Sequence, residues 1–320
     1  MKKKMYICFI LLIFSLFSCN KLRVDKCNSI FAMDTIIDIT FYNTENYEEY
    51  YKKIREIYYI YDQVANDFEL SAKYDNIKKL NDYRMIDNAS PELIELLTKA
   101  IELEEDTEGY FNPLIGRLSH LWKEAIKANE PYIPNDEIIK SELEIMNKSK
   151  IIIEGNKIAI IGDANIDLGG IAKGFATNKA KEYLEGENVT GYLINAGSSN
   201  VSLGDKGEAF NVGLAKPLEQ GMIKKISTYN TSIGTSSYKY QHKIVDDQII
   251  HHLLNPFTGY PANNYTNVNV ICGDATLCDV YSTAIFTMDL EYAIEFSKQK
   301  NIDILLYKDT ILYESDGFKI

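Results

Sequence analysis

The run Asp167-Leu-Gly-Gly-Ile-Ala-Lys-Gly174 constrains the fold more than any other stretch of the chain. The apolar, β-prone segment Lys157-Ile-Ala-Ile-Ile161 precedes it, and Phe175 to Leu184 follows with Ala176, Ala180 and Leu184 at helical spacing. The spacing predicts a strand-to-helix transition with Gly169 and Gly170 at the turn. Glycine lets the backbone approach a ligand closely, the N–H groups of a first helical turn suit an anion, and Lys173 adds a positive charge. An ordinary turn with a surface lysine explains the same eight residues. The glycine spacing is that of neither a P-loop nor a dinucleotide fingerprint.

The N-terminus speaks to location. Lys2, Lys3 and Lys4 precede an apolar run from Met5 to Phe17, closed by Leu16-Phe-Ser-Cys19. A basic head, a short apolar core and a small residue before the cleavage point describe an export signal over residues 1–18, and the core is too short to span a bilayer comfortably. The Leu-x-Ser-Cys ending resembles a bacterial lipobox, which implies lipidation of Cys19. An uncleaved membrane anchor is the other reading; both place the folded part at the extracytoplasmic face of the cell membrane. Removal of eighteen residues leaves about 302 of 320, enough for a large core. The formal charge of −12 argues against a general nucleic-acid binder and selects no substrate.

Cys8 falls in the signal, which leaves Cys27, Cys272 and Cys278 besides Cys19. They form no Cys-x-x-Cys pair and no zinc-spaced cluster. Cys272 and Cys278 read as buried small residues, with a disulfide between them left open.

Residues 19–30 read as a tether and Thr35 to Tyr42 as a strand. Helices are expected over Glu45 to Ala65, in a piece ending near Leu80, from a Ser90 cap and Pro91 to about Glu104, over Leu118 to Trp122, and from Asp136 to about Met146. A hairpin follows at 150–162. Strands are expected at Tyr192–Asn195, Phe210–Leu214 and Lys225–Tyr229, around the Thr235 loop, at Val268–Ile271 and at 302–306. Helices are expected at 274–288 and about 291–298, with a final hairpin. The pattern describes an α+β arrangement of sheets covered by helices, with no clean repeat and no interdomain linker.

Two further groups carry chemistry. His251-His-Leu-Leu-Asn-Pro-Phe-Thr-Gly-Tyr-Pro261 follows Thr235-Ser-Ser237. Adjacent histidines on a strand point to opposite sides, so one job does not fit both; either one also fits a packing or loop role. The turn Asn255-Pro256 with Thr258-Gly259 suits a loop that holds His252. In Asp279-Val-Tyr-Ser-Thr283, residues four apart share a helical face, so carboxylate and hydroxyl can meet one cation, with oxygen ligands suited to Mg²⁺. An exposed Asp and a backbone-bonded Thr is the plain alternative.

Taken together, the motifs resemble the ApbE family of FAD:protein FMN transferases. The likeness rests on Met33-Asp-Thr35, Gly109-Tyr-Phe-Asn-Pro113 with Leu118 and Trp122, Asp167 to Gly174, Asn195-Ala-Gly197, Thr235-Ser236, His252 to Pro261, and Asp279 with Thr283, all in family order. It implies one domain over residues 31–320 with two intertwined lobes, related to T-folds, with mixed or antiparallel sheets and FAD between the lobes. It also implies Mg²⁺-dependent transfer of FMN from FAD to a Ser or Thr hydroxyl of an exported acceptor protein, with release of AMP. The acceptor would carry an Asp-x-x-(Ser/Thr)-Gly/Ala-x-(Ser/Thr)-like signal, which this chain lacks.

On the matching positions, Asp279, Thr283 and the backbone carbonyl of Ala172 become metal ligands. Met33, Tyr110, Lys173, Asn195 and Thr235 become FAD-pocket residues, and His252 the base. An FAD diphosphatase and a non-catalytic FAD-binding lipoprotein are the alternatives. The chain departs from the family at Asp34, Ser198 and Ser237, where glycine is expected, and at Asn112 and Asn255, where aspartate is common.

Overall fold

Ile37, Ile39 and Phe41 alternate with outward-facing neighbours, and this period of two puts all three in the core. The computed structural model describes residues 26–238 and 242–318, so the export signal and Cys19 lie outside the described residues. Strands β1 (Lys26–Ala32) and β2 (Thr35–Phe41) form a hairpin, followed by helices α1 (Tyr47–Val64) and α2 (Ile77–Tyr83). Next come β3 (Met85–Ile86), α3 (Pro91–Asp106), α4 (Gly116–Lys127), α5 (Asp136–Lys148) and the hairpin of β4 (Lys150–Glu154) and β5 (Lys157–Ile161). Helix α6 (Ala172–Gly186) leads to the hairpins β6 (Tyr192–Ala196) with β7 (Asn200–Leu203) and β8 (Phe210–Ala215) with β9 (Met222–Thr228). Strand β10 (Thr231–Ser237) precedes β11 (His242–Val245), β12 (Gln248–His251) and β13 (Asn267–Cys272). The chain continues through α7 (Ala275–Thr287), α8 (Leu290–Gln299), β14 (Asp303–Tyr307) and β15 (Ile311–Glu314).

The main sheet has the order β1-β2-β6-β7-β10-β13-β14-β15, antiparallel at every step. One face buries Ile37, Ile39, Ile194, Val268 and Val270 with side chains of α1, α6 and α7. On the other face Leu203, Ile233 and Leu305 pack with Phe210, Leu214 and Ile226 of the β8–β9 hairpin. A three-stranded sheet, β3-β5-β4, belongs with α2 to α5 to the second lobe. Trp122 ties that lobe to the late loop 252–261: it is 1% exposed, and its Nε1 donates to the Gly259 carbonyl at 2.8 Å.

Several expectations hold to within a residue or two. Ser90 caps α3 by accepting from the Leu93 N–H, with Pro91 as the first helical residue. Tyr58 and Tyr61 are core side chains of α1. Others are corrected. Residues 26–30 of the expected tether are strand, because they pair with β2 at the edge of the main sheet; residues 19–25 lie outside the described residues. Helix α4 runs well past 118–122, since Ala125 and Ile126 continue the buried stripe of Leu118 and Trp122. Strand β7 was not expected, because its inward positions are polar: Asn200 and Ser202 are fully buried and bond to the Ala275 carbonyl and Ser232. Strand β5 does not feed α6 directly; it belongs to the small sheet, and residues 162–171 intervene.

Register sets where the chain can do chemistry. Ile37 pairs with Ala196 and Asn200 with Gly234, so the hairpin tip at 33–34, the turn at 197–199 and the end of β10 gather at one end of the sheet. At the opposite end lies an open polar hollow of about 560 Å³, bordered by Tyr42, Glu45, Gly191 and Asp205. It is remote from the residues singled out by the sequence.

Candidate active site

The site centres on the contact between α6 and α7. Gly174 donates its N–H to Asp279 Oδ2 at 2.8 Å, and a Cβ on Gly174 would lie 2.4 Å from the Asp279 Cβ. The other side of α7 is equally close, since a Cβ on Gly234 would lie 2.1 Å from the Cys278 carbonyl oxygen. Glycines therefore let α7 settle on α6 and β10 at backbone distance. One turn further along α7, Thr283 is partly exposed; its hydroxyl donates to the Asp279 carbonyl at 3.1 Å. A Cβ on Gly170 would come within 3.3 Å of Thr283 Cγ2 and 3.4 Å of the Phe111 ring, so glycine keeps the space in front of this hydroxyl clear.

Two carboxylates, the largely covered Asp167 and the buried Asp279, flank the turn in opposite electrostatic states. Burial alone would raise Asp167, but the Lys123 charge, the Ser119 hydroxyl and the Gly169 N–H together hold it down at about 2. The bonds are short: Lys123 Nζ at 2.9 Å, Ser119 Oγ at 2.6 Å and Gly169 N at 2.7 Å. Asp279 is 5% exposed, and burial pushes it up to about 6 against the opposing pull of Lys173 and the Gly174 N–H.

Several N–H groups of the turn are already engaged within the chain. Gly169 gives its N–H to Asp167, Ala172 to the Leu168 carbonyl, and Gly174 to Asp279. One carboxylate that meets this helix end is the chain's own Asp279. Helix α6 also begins at Ala172 rather than Phe175, which puts Ala172 and Lys173 in its first turn.

At the end of the sheet, Met33 and Asp34 adopt left-handed backbone with φ of 52° and 57°, and the Met33 N–H donates to Asp62 at 2.7 Å. Asn195 Oδ1 accepts from the Ser198 N–H at 3.0 Å and organises the β6–β7 turn, where Ser198 has φ of 63°. Asp34 and Ser198 thus occupy backbone that glycine adopts without cost, which accounts for glycine being expected at both. Ser237 is different: it is an ordinary strand residue paired with Asn267. Alternation along β10 separates Thr235, bonded to Asn269 at 3.0 Å, from Ser236, which lies 2.9 Å from Ser282 Oγ and 3.4 Å from Thr283 Oγ1. Ser236 is the neighbour of α7 that a motif reading centred on Thr235 passes over.

The histidine pair divides as strand geometry requires. His251 ends β12, is fully buried, and stacks on Tyr238 at 4.5 Å between centroids. Its Nε2 lies 2.9 Å from the Ala262 carbonyl and its Nδ1 accepts from the Leu253 N–H at 3.1 Å, while burial and the neighbouring His252 push it down to about 3. His251 is therefore a neutral packing group, whereas His252 is partly exposed in the following loop.

That loop is well held. Asn255 accepts from the Phe257 N–H at 2.8 Å and donates to the Thr287 carbonyl at 3.3 Å, one turn beyond Thr283 on α7. An aspartate could not make the second bond, so the departure at 255 has a structural use. Asn112 caps its own turn by accepting from the Leu114 N–H at 2.9 Å. Tyr110 meets Phe257 edge-on at 4.8 Å and stacks with Tyr292 at 5.3 Å, whereas its neighbour Phe111 reaches the Gly170–Thr283 contact.

Asp279, Thr283 and the Ala172 carbonyl, all oxygen donors, are the groups that could hold a hard cation. Their set contains one carboxylate; among the described residues no group of three or more His, Cys, Asp or Glu could do so.

Fold and site define a bilobal α+β protein with a carboxylate and hydroxyl set between two helices at one end of an antiparallel sheet. The ApbE family model matches residues 33–306, and the chain belongs to the ApbE family. The chain is 27% identical to the ApbE protein of Thermotoga maritima, with a TM-score of 0.81 covering 92% of this chain and 98% of that one. The flavin transferase ApbE of Vibrio cholerae superposes with a TM-score of 0.76 at 21% identity, covering 93% and 99%, and so speaks to the fold. In sequence, a Klebsiella pneumoniae FAD:protein FMN transferase is 28% identical over 224 residues, 65% of this chain and 68% of that protein.

Proposed function

We propose that the protein is an exported, lipid-anchored transferase that moves FMN from FAD to a Ser or Thr hydroxyl of an acceptor protein, with release of AMP. The observation that carries the reading is the buried, half-satisfied Asp279 beside Thr283, facing a glycine-cleared space in an ApbE fold. A buried carboxylate raised toward neutrality welcomes a cation, and carboxylate, hydroxyl and carbonyl oxygens are the donors Mg²⁺ takes. Bound there with Asp279, Thr283 and Ala172, Mg²⁺ would neutralise the phosphoryl oxygens of FAD.

The chain's own groups supply the rest. Lys173, in the first turn of α6, adds positive charge beside the diphosphate. Met33, Tyr110, Asn195 and Thr235 border the flavin nucleotide. His252 accepts the proton of the acceptor hydroxyl as its oxygen attacks the FMN phosphorus. The new P–O bond joins FMN to the acceptor, the bond to the AMP phosphate breaks, and AMP leaves with the electron pair.

The export signal and Cys19 support a position outside the cytoplasmic membrane, and the disulfide between Cys272 and Cys278 suits an oxidising compartment. No helix among the described residues is long and apolar enough to cross a membrane.

The test is mass spectrometry of an acceptor bearing the signal sequence, incubated with the protein, FAD and Mg²⁺. We expect an FMN adduct and stoichiometric AMP. Free FMN without adduct would make the protein a diphosphatase, and bound FAD with neither product a carrier. We expect His252→Ala to retain FAD and lose transfer by about 100-fold or more; transfer at the wild-type rate would remove His252 as the base.

A further inference from the structure

The Cys272–Cys278 disulfide lies immediately beside Asp279. Cys272 is the last residue of β13, a strand held between β10 and β14, and its carbonyl accepts from the Thr231 hydroxyl at 3.0 Å. Cys278 is the fourth residue of α7, fully buried, with its Cα 6.0 Å from that of Cys272. Between them Asp274 caps the helix by accepting from the Leu277 N–H at 3.0 Å, and the Cys278 N–H donates to the Asp274 carbonyl at 3.1 Å. The bridge therefore closes a small ring around the start of α7 and fixes it to a rigid strand.

The contacts around Asp279 leave little tolerance for movement of that helix. Cys278 abuts Gly234 of β10, and Asp279 abuts Gly174 of α6, both at distances a single methyl would violate. A rotation of α7 by one residue position turns its side chains by about 100° and would carry Asp279 away from both the Gly174 N–H and the Gly170–Thr283 space. A ring closed over so few residues removes little entropy from the unfolded chain, so its main effect is on the native orientation of the helix start.

We infer that the Cys272–Cys278 disulfide is a positioning device for the cation seat: closed, it holds Asp279 at the angle that binds a divalent cation, and reduction to two thiols loosens that seat. The inference rests on the metal seat proposed above. A phosphine supplies two electrons and water supplies two protons and an oxygen: the S–S bond breaks, two thiols are left on the protein, and the phosphine leaves as its oxide.

The test uses the mature protein with Mn²⁺ as a spectroscopic probe, read by electron paramagnetic resonance without FAD or acceptor, so a failure of the transfer reading does not disturb it. Protein reduced with a phosphine and desalted under inert gas, its two thiols left unmodified, is compared with oxidised protein and with the Cys272→Ala/Cys278→Ala variant. We expect reduction to weaken Mn²⁺ affinity by about 10- to 100-fold, as loss of groups that orient metal ligands does elsewhere, with the far-ultraviolet dichroism unchanged. The double variant should show the weakened affinity from the start and ignore the reductant. With transfer active, reduction should raise the Mg²⁺ requirement and leave FAD affinity within about twofold. Unchanged Mn²⁺ affinity after complete reduction would overturn the inference, as would two titratable thiols at these positions before reduction. So would an equal effect of the reductant on the double variant.

Discussion

Asp167 and Asp279 sit on either side of one glycine turn, the first largely covered and the second buried, and the chain treats them oppositely. Asp167 receives a lysine, a hydroxyl and a backbone N–H, and its carboxylate is held at about 2. Asp279 receives one backbone N–H and sits at about 6. A fully satisfied buried charge fixes structure, whereas a partly satisfied one is a site waiting for a partner. The difference teaches which carboxylate is scaffold and which is chemistry, a distinction that residue type alone does not make.

Replacing Asp279 should separate the two most strongly. We expect Asp279→Asn to reduce transfer by about 100-fold or more, read as FMN adduct formed per minute, because the amide cannot supply the charge that holds a cation. Transfer within tenfold of wild type would place the chemistry elsewhere.

Gly174→Ala comes next. A methyl there meets Asp279 and the Ala275 carbonyl, so α6 and α7 must part. We expect a loss of about 3 kcal/mol in urea denaturation and weaker metal binding. An unchanged midpoint would show that the helices have more slack than their spacing indicates.

Asp167→Asn should cost about 2 kcal/mol at pH 7, since the folded value of about 2 lies below the unfolded 3.8. The sign follows from the depressed value: the contribution is present above 3.8 and lost as pH falls through 2. Denaturation at pH 7 and pH 2 should therefore show the variant's deficit shrinking in acid. A constant deficit would mean the loss is one of packing rather than charge.

The smallest effect is expected at Ser198. Its φ of 63° favours glycine, and Ser198→Gly should stabilise by about 1 kcal/mol or less, partly offset by the entropy glycine adds to the unfolded chain. Destabilisation would point to a contact of the Ser198 side chain that outweighs backbone strain.

Periodicity made most of the fold legible. The stripe Leu93, Leu96, Leu97, Ala100 with its Ser90 cap, and the alternation in Thr35–Phe41, declare their elements locally. Strand β7 does not, because Asn200 and Ser202 hide its inward face behind polar residues whose partners lie far off in sequence. The same reason limits the site. Helical spacing brought Asp279 and Thr283 together, and strand geometry separated His251 from His252. Neither could announce that Gly174 would spend its N–H on Asp279, that Ser236 and Phe111 would border Thr283, or that Lys123 and Ser119 would neutralise Asp167. Those facts depend on how α4, α6 and α7 meet, and a single sequence carries no periodic signal for such encounters.

The central claim is that Asp279, bonded through a single backbone N–H, holds a cation, and folding stability with and without Mg²⁺ tests it most directly. A folded value of about 6 above the unfolded 3.8 means protonation favours the metal-free fold; that contribution is complete below 3.8 and lost as pH rises through 6. At pH 7 without metal, Asp279→Asn should therefore be more stable than wild type by about 1–3 kcal/mol, its amide oxygen still accepting from Gly174. Added Mg²⁺ should raise the stability of wild type and leave the variant unmoved. A variant less stable than wild type in the absence of metal, or one that gains equally from Mg²⁺, would contradict the account.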